Sequence, residues 1–275
     1  VGEVKIYYPN IVIWSMKKFL LLTLFASYAS LLTAQDLSLY EKQLFISNED
    51  TLRCRILTPV NYKPGVKYPL VVVLHGSGER GDNNESQLIW GGDLFVDSAN
   101  RAKYPAIVVF PQCPANERWA PGKRIDAKDS VGGLRVYSDS AIMKPTKLVL
   151  DFIDTLIAAG RVDTKKIYVG GLSMGGMGTF DILSRRPDLF AAAFVICGAG
   201  DPNAIKKFRK GLPVWVFHGA ADPVVLVSNG RLMVDLLQKN HFKVRYTEYP
   251  GVGHDSWKNA FAEKELLPWL FAQKK

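Results

Sequence analysis

Ile167-Tyr168-Val169-Gly170-Gly171-Leu172-Ser173-Met174-Gly175-Gly176 is the stretch on which the reading of this chain turns. β-branched and aromatic residues run into a glycine-rich break, and a helix-compatible run follows from Met177 to Arg186. Gly171-Leu172-Ser173-Met174-Gly175 is a G-x-S-x-G pattern, the sequence of a strand that turns sharply into a helix with one serine at the corner. Such a turn lifts the serine hydroxyl clear of the sheet edge. Side chains two residues before and two after would collide there, which favours glycine at both positions. An ordinary glycine-rich strand-to-helix turn is the alternative.

Outward from this corner, the chain alternates strands and helices. Pro69 to Leu74 and Pro105 to Pro111 are short, wholly apolar runs, the pattern of strands buried on both faces in a parallel sheet. Phe190 to Cys197 and Leu212 to Phe217 repeat it, and Phe242 to Tyr249 alternates. Helices are expected over Thr146 to Ala159 (closed by Gly160), Ala204 to Lys210, Val227 to Lys239 and Trp257 to Ala272. Leu37 to Phe45 and Leu52 to Thr58 read as two strands joined at Ser47-Asn48-Glu49-Asp50. The expectation is an α/β fold: a mostly parallel central sheet flanked by helices, with antiparallel strands at the N-terminal end. Ala115 to Lys144 shows no periodicity, as expected of a lid or a binding wall.

The chain has 275 residues, long enough for one large domain with a full core or two small domains, and its 48% hydrophobic and 22% charged residues are the balance of a globular protein. The net charge of +9 is spread out, with no run longer than Arg185-Arg186 or Lys206-Lys207 with Arg209-Lys210. That is a solvated basic surface and not a nucleic-acid footprint. Met16-Lys17-Lys18, the apolar run Phe19 to Leu32 and Thr33-Ala34 have the order of a secretory signal peptide cleaved after Ala34. The run is short for a membrane span, and an uncleaved N-terminal anchor is the alternative. Residues 1–15 read as a non-native upstream extension, 16–34 as the signal and 35–275 as the catalytic domain, so the mature protein is expected to be periplasmic or secreted. Cys54, Cys113 and Cys197 lie in or beside apolar runs, as buried small hydrophobes do. Pairing any two leaves a free thiol.

A serine hydroxyl needs a base to take its proton, and the base needs a carboxylate to hold its tautomer. In chains with this elbow the order is nucleophile, acid, base. Of the four histidines, His75 and His218 precede glycines in tight turns, and His241 leads into a strand. His254 alone follows a late strand and precedes the last helix, so it is the base by order and elimination. Asp222 directly follows the Val214 to Phe217 strand and is the favoured acid; Asp201, past the preceding strand, competes, and Glu248 sits inside a strand. An N-cap or Asx-turn role before Pro223 is the plain alternative for Asp222. After Pro69 to Leu74, the loop Gly76-Ser77-Gly78-Glu79-Arg80-Gly81 lacks a phosphate-binding ending. The backbone N–H of Ser77 is expected to join that of Met174 as an oxyanion hole.

Leu74-His75-Gly76-Ser77-Gly78-Glu79-Arg80-Gly81, Pro111-Gln112-Cys113-Pro114, the Ser173 elbow, His218-Gly219-Ala220-Ala221-Asp222-Pro223-Val224-Val225 and Gly251-Val252-Gly253-His254-Asp255-Ser256-Trp257 occur in one order. Together they resemble the α/β-hydrolases grouped with polyhydroxybutyrate depolymerases, feruloyl and acetyl xylan esterases (carbohydrate esterase family one) and predicted peptidases of the prolyl oligopeptidase clan. The resemblance covers residues 40 to 273. It implies Ser173 as nucleophile, Asp222 as acid, His254 as base, the amides of Ser77 and Met174 for the oxyanion, and Trp119 and Trp257 bordering the site. It implies a serine esterase acting through an acyl-serine, on feruloyl or acetyl esters of plant polysaccharide. The rivals are a peptidase of small peptides and a catalytically silent binding protein. No His-Glu-x-x-His, Cys-x-x-Cys or Asp-rich calcium loop occurs, and the mechanism calls for no cofactor or metal.

Overall fold

The computed structural model describes residues 36–124, 134–136 and 140–275, with the side chains of 123, 124, 134 and 135 left aside. The expected signal segment lies outside the described residues. Within them, no helix is long and apolar enough to cross a membrane.

Eight strands form one sheet: β1 (Glu41–Ser47), β2 (Asp50–Leu57), β3 (Tyr68–Leu74), β4 (Ile107–Gln112), β7 (Val162–Leu172), β8 (Ala192–Ile196), β9 (Pro213–Gly219) and β10 (Lys243–Tyr249). Their spatial order is β1-β2-β4-β3-β7-β8-β9-β10. β1 pairs antiparallel with β2, and β2 with β4. Every other pairing is parallel. A small hairpin, β5 (Gly122–Arg124) with β6 (Leu134–Val136), lies within the segment that showed no periodicity.

The sheet is buried on both faces because β3 from Leu70, β7 from Ile167 and all of β8 carry no charged side chain and are buried at successive positions. Val72, Val169, Val195 and Val216 face one layer, which contains α3 (Lys144–Ala158), α4 (Met174–Arg185) and α5 (Val227–Lys239). Val71, Tyr168, Phe194 and Phe217 face the other, with α1 (Gly92–Val96), α6 (Trp257–Phe261) and α7 (Leu266–Phe271). The strict alternation is the two-residue period of a strand applied to a two-sided core. Short α2 (Ser98–Lys103) adjoins α1.

Three expectations change. The closing helix expected over Trp257 to Ala272 is broken into α6 and α7. Pro268 supplies the reason: it has no N–H for a bond to the Lys264 carbonyl and its ring would press on it, so it fits only within the first turn of a new helix. Leu37–Leu39 is a 3-10 turn capped by the Asp36 carboxylate, which accepts from Ser38 N at 2.9 Å, and β1 starts only at Glu41. The short helix expected from Ala204 is a 3-10 turn, Pro202–Lys207.

The order of the strands positions the site. From β3 the chain crosses to β4 on one side, and β7 then lies on the other. β3 and β7 therefore flank the point where the winding direction reverses, where loops separate and leave a crevice at the carboxyl ends of the strands. Leu74, the last residue of β3, is in register with Gly171. Ser77 and Ser173 both leave the sheet at this crevice.

Candidate active site

Ser173 joins β7 to α4 with φ +52° and ψ −115°, a conformation that L-residues rarely hold. Close backbone contact enforces it. A Cβ on Gly175 would lie 1.9 Å from the Leu74 carbonyl oxygen, and one on Gly171 would lie 2.5 Å from the Gly175 carbonyl oxygen. Only glycine permits α4 to start this close to β3. The Ser173 N–H donates to the Ile196 carbonyl at 2.8 Å and anchors the corner to β8.

His254 and Asp222 arrive on the loops after β10 and β9. These loops are tied together: Ala221 N–H donates to Val252 O at 2.9 Å and Ala220 N–H to Tyr249 O at 3.0 Å. A Cβ on Gly219 would lie 2.2 Å from the Gly253 carbonyl oxygen, so the loops touch through backbone. The result is a continuous hydrogen-bonded line. Ser173 Oγ is 2.9 Å from His254 Nε2, and His254 Nδ1 is 2.7 Å from Asp222 Oδ2. A carboxylate only accepts, so Nδ1 carries the proton and Nε2 is free to accept the serine proton.

Asp222 is 4% exposed. Burial works against its charge, but the bonds from His218 and His254 and the amides of Val224 and Val225 outweigh it and hold the carboxyl well below the usual range. Those amides donate to Oδ1 at 2.8 and 3.0 Å. Asp222 thus makes the Asx-turn and receives His254 with its other oxygen, so the two readings of this residue describe opposite ends of one carboxylate. Asp201 accepts from Asn203 N–H at 2.9 Å and caps the 3-10 turn after β8. Glu248 is bound to Arg231 and Tyr246.

Ser77 opens a 3-10 turn, Ser77–Glu79, and is exposed. A Cβ on the preceding Gly76 would lie 2.8 Å from Leu172 Cδ1, so this loop runs against the residue before Ser173. Met174 is the first residue of α4, where a backbone N–H has no acceptor within the helix and carries the positive end of its dipole. Beneath the loop, His75 Nε2 accepts from Cys113 N–H at 2.9 Å and its Nδ1–H donates to Gly76 O at 2.6 Å. Burial pulls its pKa down to about 4, so the ring is a neutral strut.

The tryptophans separate. Trp119 is 0% exposed, packs on the His75 ring and donates its indole N–H to His75 O at 3.0 Å. It presents no face to a ligand, which corrects the expectation that it borders the site; it supports the loop at residues 75–77 from below. Trp257 is half-buried, with its ring edge-on to His254 at 5.3 Å between centroids. Trp90, which the sequence reading passed over, lies 5.7 Å from Trp257. Its only sequence signal is a large aromatic between Leu88-Ile89 and Gly91-Gly92. Exposed Ile89 adjoins Trp90, and exposed Val224 and Leu226 adjoin the Asp222 loop.

All three cysteines are buried and free, so no disulfide forms among them. Burial pushes the Cys197 thiol up to about 12. Among the described residues, Cys197, Asp222 and His254 are the one group close enough to share a metal ion, but the bonds from Asp222 to His254 and from His254 to Ser173 already use the imidazole.

A family model described as phospholipase/carboxylesterase matches residues 60–265. An acyl-protein thioesterase 1 of Neurospora crassa is 30% identical over 204 residues, 68% of this chain and 80% of that protein. A bifunctional acetylxylan esterase/xylanase of Neocallimastix patriciarum is 26% identical over 170 residues, 62% of this chain and 21% of that protein. Among solved structures, that of a thermostable esterase superposes with a TM-score of 0.76 at 35% identity, covering 87% of this chain and 64% of that one. The match runs from before β3 to the start of α7 and takes in every loop that carries a residue of the hydrogen-bonded line. The chain belongs to the phospholipase/carboxylesterase family, ester hydrolases built on the α/β-hydrolase fold.

Proposed function

We propose that the protein is an exported serine esterase that cleaves carboxylic esters through an acyl-Ser173 intermediate. The observation that carries this reading is the line from Ser173 Oγ to His254 Nε2 at 2.9 Å and from His254 Nδ1 to Asp222 Oδ2 at 2.7 Å. His254 takes the serine proton as Oγ attacks the ester carbonyl, then gives it to the leaving alcohol; water repeats the cycle on the acyl-enzyme. Asp222 stabilises the imidazolium without accepting its proton. The N–H groups of Ser77 and Met174 receive the oxyanion. The chemistry of the residues present requires no metal.

For substrate, we place feruloyl or acetyl esters of plant polysaccharide first. Trp257 beside His254, continued by Trp90, is an aromatic wall on which a phenolic acid or a sugar ring can stack. The likeness to an acetylxylan esterase supports the same class. The test is hydrolysis of methyl ferulate, p-nitrophenyl acetate, p-nitrophenyl butyrate, a palmitoyl thioester and an alanyl p-nitroanilide, with Ser173→Ala as control. Preferred turnover of the ferulate or acetate supports the assignment. Preference for the thioester moves the substrate to acylated thiols, and activity equal in Ser173→Ala removes the mechanism. Export is tested by N-terminal sequencing of the protein released from cells, with Gln35 expected first.

A further inference from the structure

We infer that His218 is a positioning residue for Asp222, a second imidazole that holds the acid of the site in place; the inference rests on the proposed roles of Ser173, Asp222 and His254. His218 is the penultimate residue of β9 and is 0% exposed. Its Nε2 is 2.8 Å from the Val225 carbonyl oxygen and 3.4 Å from Asp222 Oδ2. A carbonyl can only accept, so Nε2 carries the proton. The N–H points its strong bond at Val225 O and its positive edge at the same carboxylate oxygen that receives His254.

The loop explains why this matters. Between His218 and Val225 the chain reverses, with Asp222 at the tip. Val225 N–H and Val224 N–H hold Oδ1. His218 holds Val225 from its carbonyl side, so it fixes the residue that fixes Oδ1 and also faces Oδ2. With both oxygens directed, the carboxylate has one orientation, and the His254 Nδ1–H meets it at 2.7 Å. The seat is built for the ring: a Cβ on Gly230 of α5 would lie 2.5 Å from His218 Nδ1. That Nδ1 is buried without a hydrogen-bond partner, so burial of the imidazole here is not repaid on its inner side. The Nε2–H bond to Val225 O and the contact with Asp222 Oδ2 both lie on its other side.

The test uses the full chain and p-nitrophenyl butyrate, with His218→Phe, which keeps a flat ring but no N–H, and His218→Gln, whose amide N–H reaches the Nε2 position. In His218→Phe, kcat is expected to fall about tenfold or more with KM within about twofold, because the change is felt only as charge develops on His254. His218→Gln is expected to recover kcat to within about threefold of wild type. In an Asp222→Asn background, His218→Phe is expected to produce no further loss, since the group it positions is gone. A proton spectrum adds a direct readout: the low-field resonance of the His254 Nδ1–H shifts in the Phe variant and returns in the Gln variant. If the Phe variant does not fold, His218→Asn, too short to reach, replaces it against Gln; equal kcat in Asn and Gln overturns the proposal. So does wild-type kcat in His218→Phe, or the same loss in the Asp222→Asn background. If Asp222→Asn or Ser173→Ala itself retains full activity, the reading of the triad fails instead.

Discussion

Asp222→Asn tests the site most sharply, because it changes one atom of the carboxylate and the structure dictates the consequence. Oδ1 accepts two backbone N–H groups, from Val224 and Val225, and Oδ2 faces the N–H groups of His254 and His218. An asparagine can satisfy only one side. With its oxygen on the amides, its NH2 faces His254, and the imidazole must turn its bare nitrogen to accept. The proton then sits on Nε2, which can no longer take the proton of Ser173. With the amide flipped, its NH2 meets two backbone donors and the turn loses both bonds. The first arrangement costs less, so the variant is expected to fold and fail in catalysis. The wrong tautomer lowers kcat by about 10⁴, or about 5 kcal/mol of transition-state stabilisation. The assay is kcat on p-nitrophenyl butyrate beside Asp201→Asn, which keeps a capping side chain at the 3-10 turn and is expected to stay near wild type. An Asp222→Asn enzyme within tenfold of wild type, or an Asp201→Asn enzyme that loses the activity, would refute the reasoning.

Other outcomes follow from the same geometry. Ser173→Gly relieves a backbone held at φ +52° and is expected to unfold at a higher temperature than Ser173→Ala, by about 1 kcal/mol of stability, although neither turns over ester. A lower melting temperature for the glycine variant would contradict the strain argument. Gly175→Ala drives a methyl to within 1.9 Å of a carbonyl oxygen in β3, where neither side can move, and is expected to destabilise by about 3 kcal/mol or more in urea titration. His75 is neutral in the fold, with its pKa pulled from 6.5 to about 4 by burial. Between those values the unfolded chain binds a proton that the folded one does not, so stability falls with acidification across that window, by roughly 3 kcal/mol. His75→Gln is expected to flatten the slope, and an unchanged slope would show that another group sets it. Asp222 acts lower: its folded pKa lies below its unfolded value, so its contribution is complete above the ordinary carboxylate range and is lost as pH falls through the folded pKa.

Much of this protein was legible in its sequence because the signals are local. The wholly apolar runs at residues 69–74, 105–111 and 212–217 have the pattern of strands covered on both faces, which favours a parallel sheet with helices on each side. The glycines around Ser173 announced a corner too tight for side chains. The order of Ser173, Asp222 and His254 narrowed the candidates, since each sits just past a strand end. Pro268 was also a local signal, and with due weight it would have divided the last helix.

Tertiary structure decided what depends on pairing between distant segments. Asp222 and Asp201 both follow strands, and chain order favours Asp222 without removing Asp201; the contact of Gly219 with Gly253 brings the β9 and β10 loops together and places His254 against Asp222. Trp119 and Trp257 look alike in sequence, yet one is sealed beneath the loop after β3 and the other stands edge-on to His254, because burial depends on which layer a loop crosses. His218 read as a residue in a tight turn. Its place behind Asp222 exists only because eight residues fold back on themselves at the end of β9, and a hydrogen bond across that reversal leaves no trace in the order of the letters. Sequence determines what lies along a strand and at its ends, through side-chain period and backbone sterics; the packing of the loops beyond those ends determines which groups come within reach of one another.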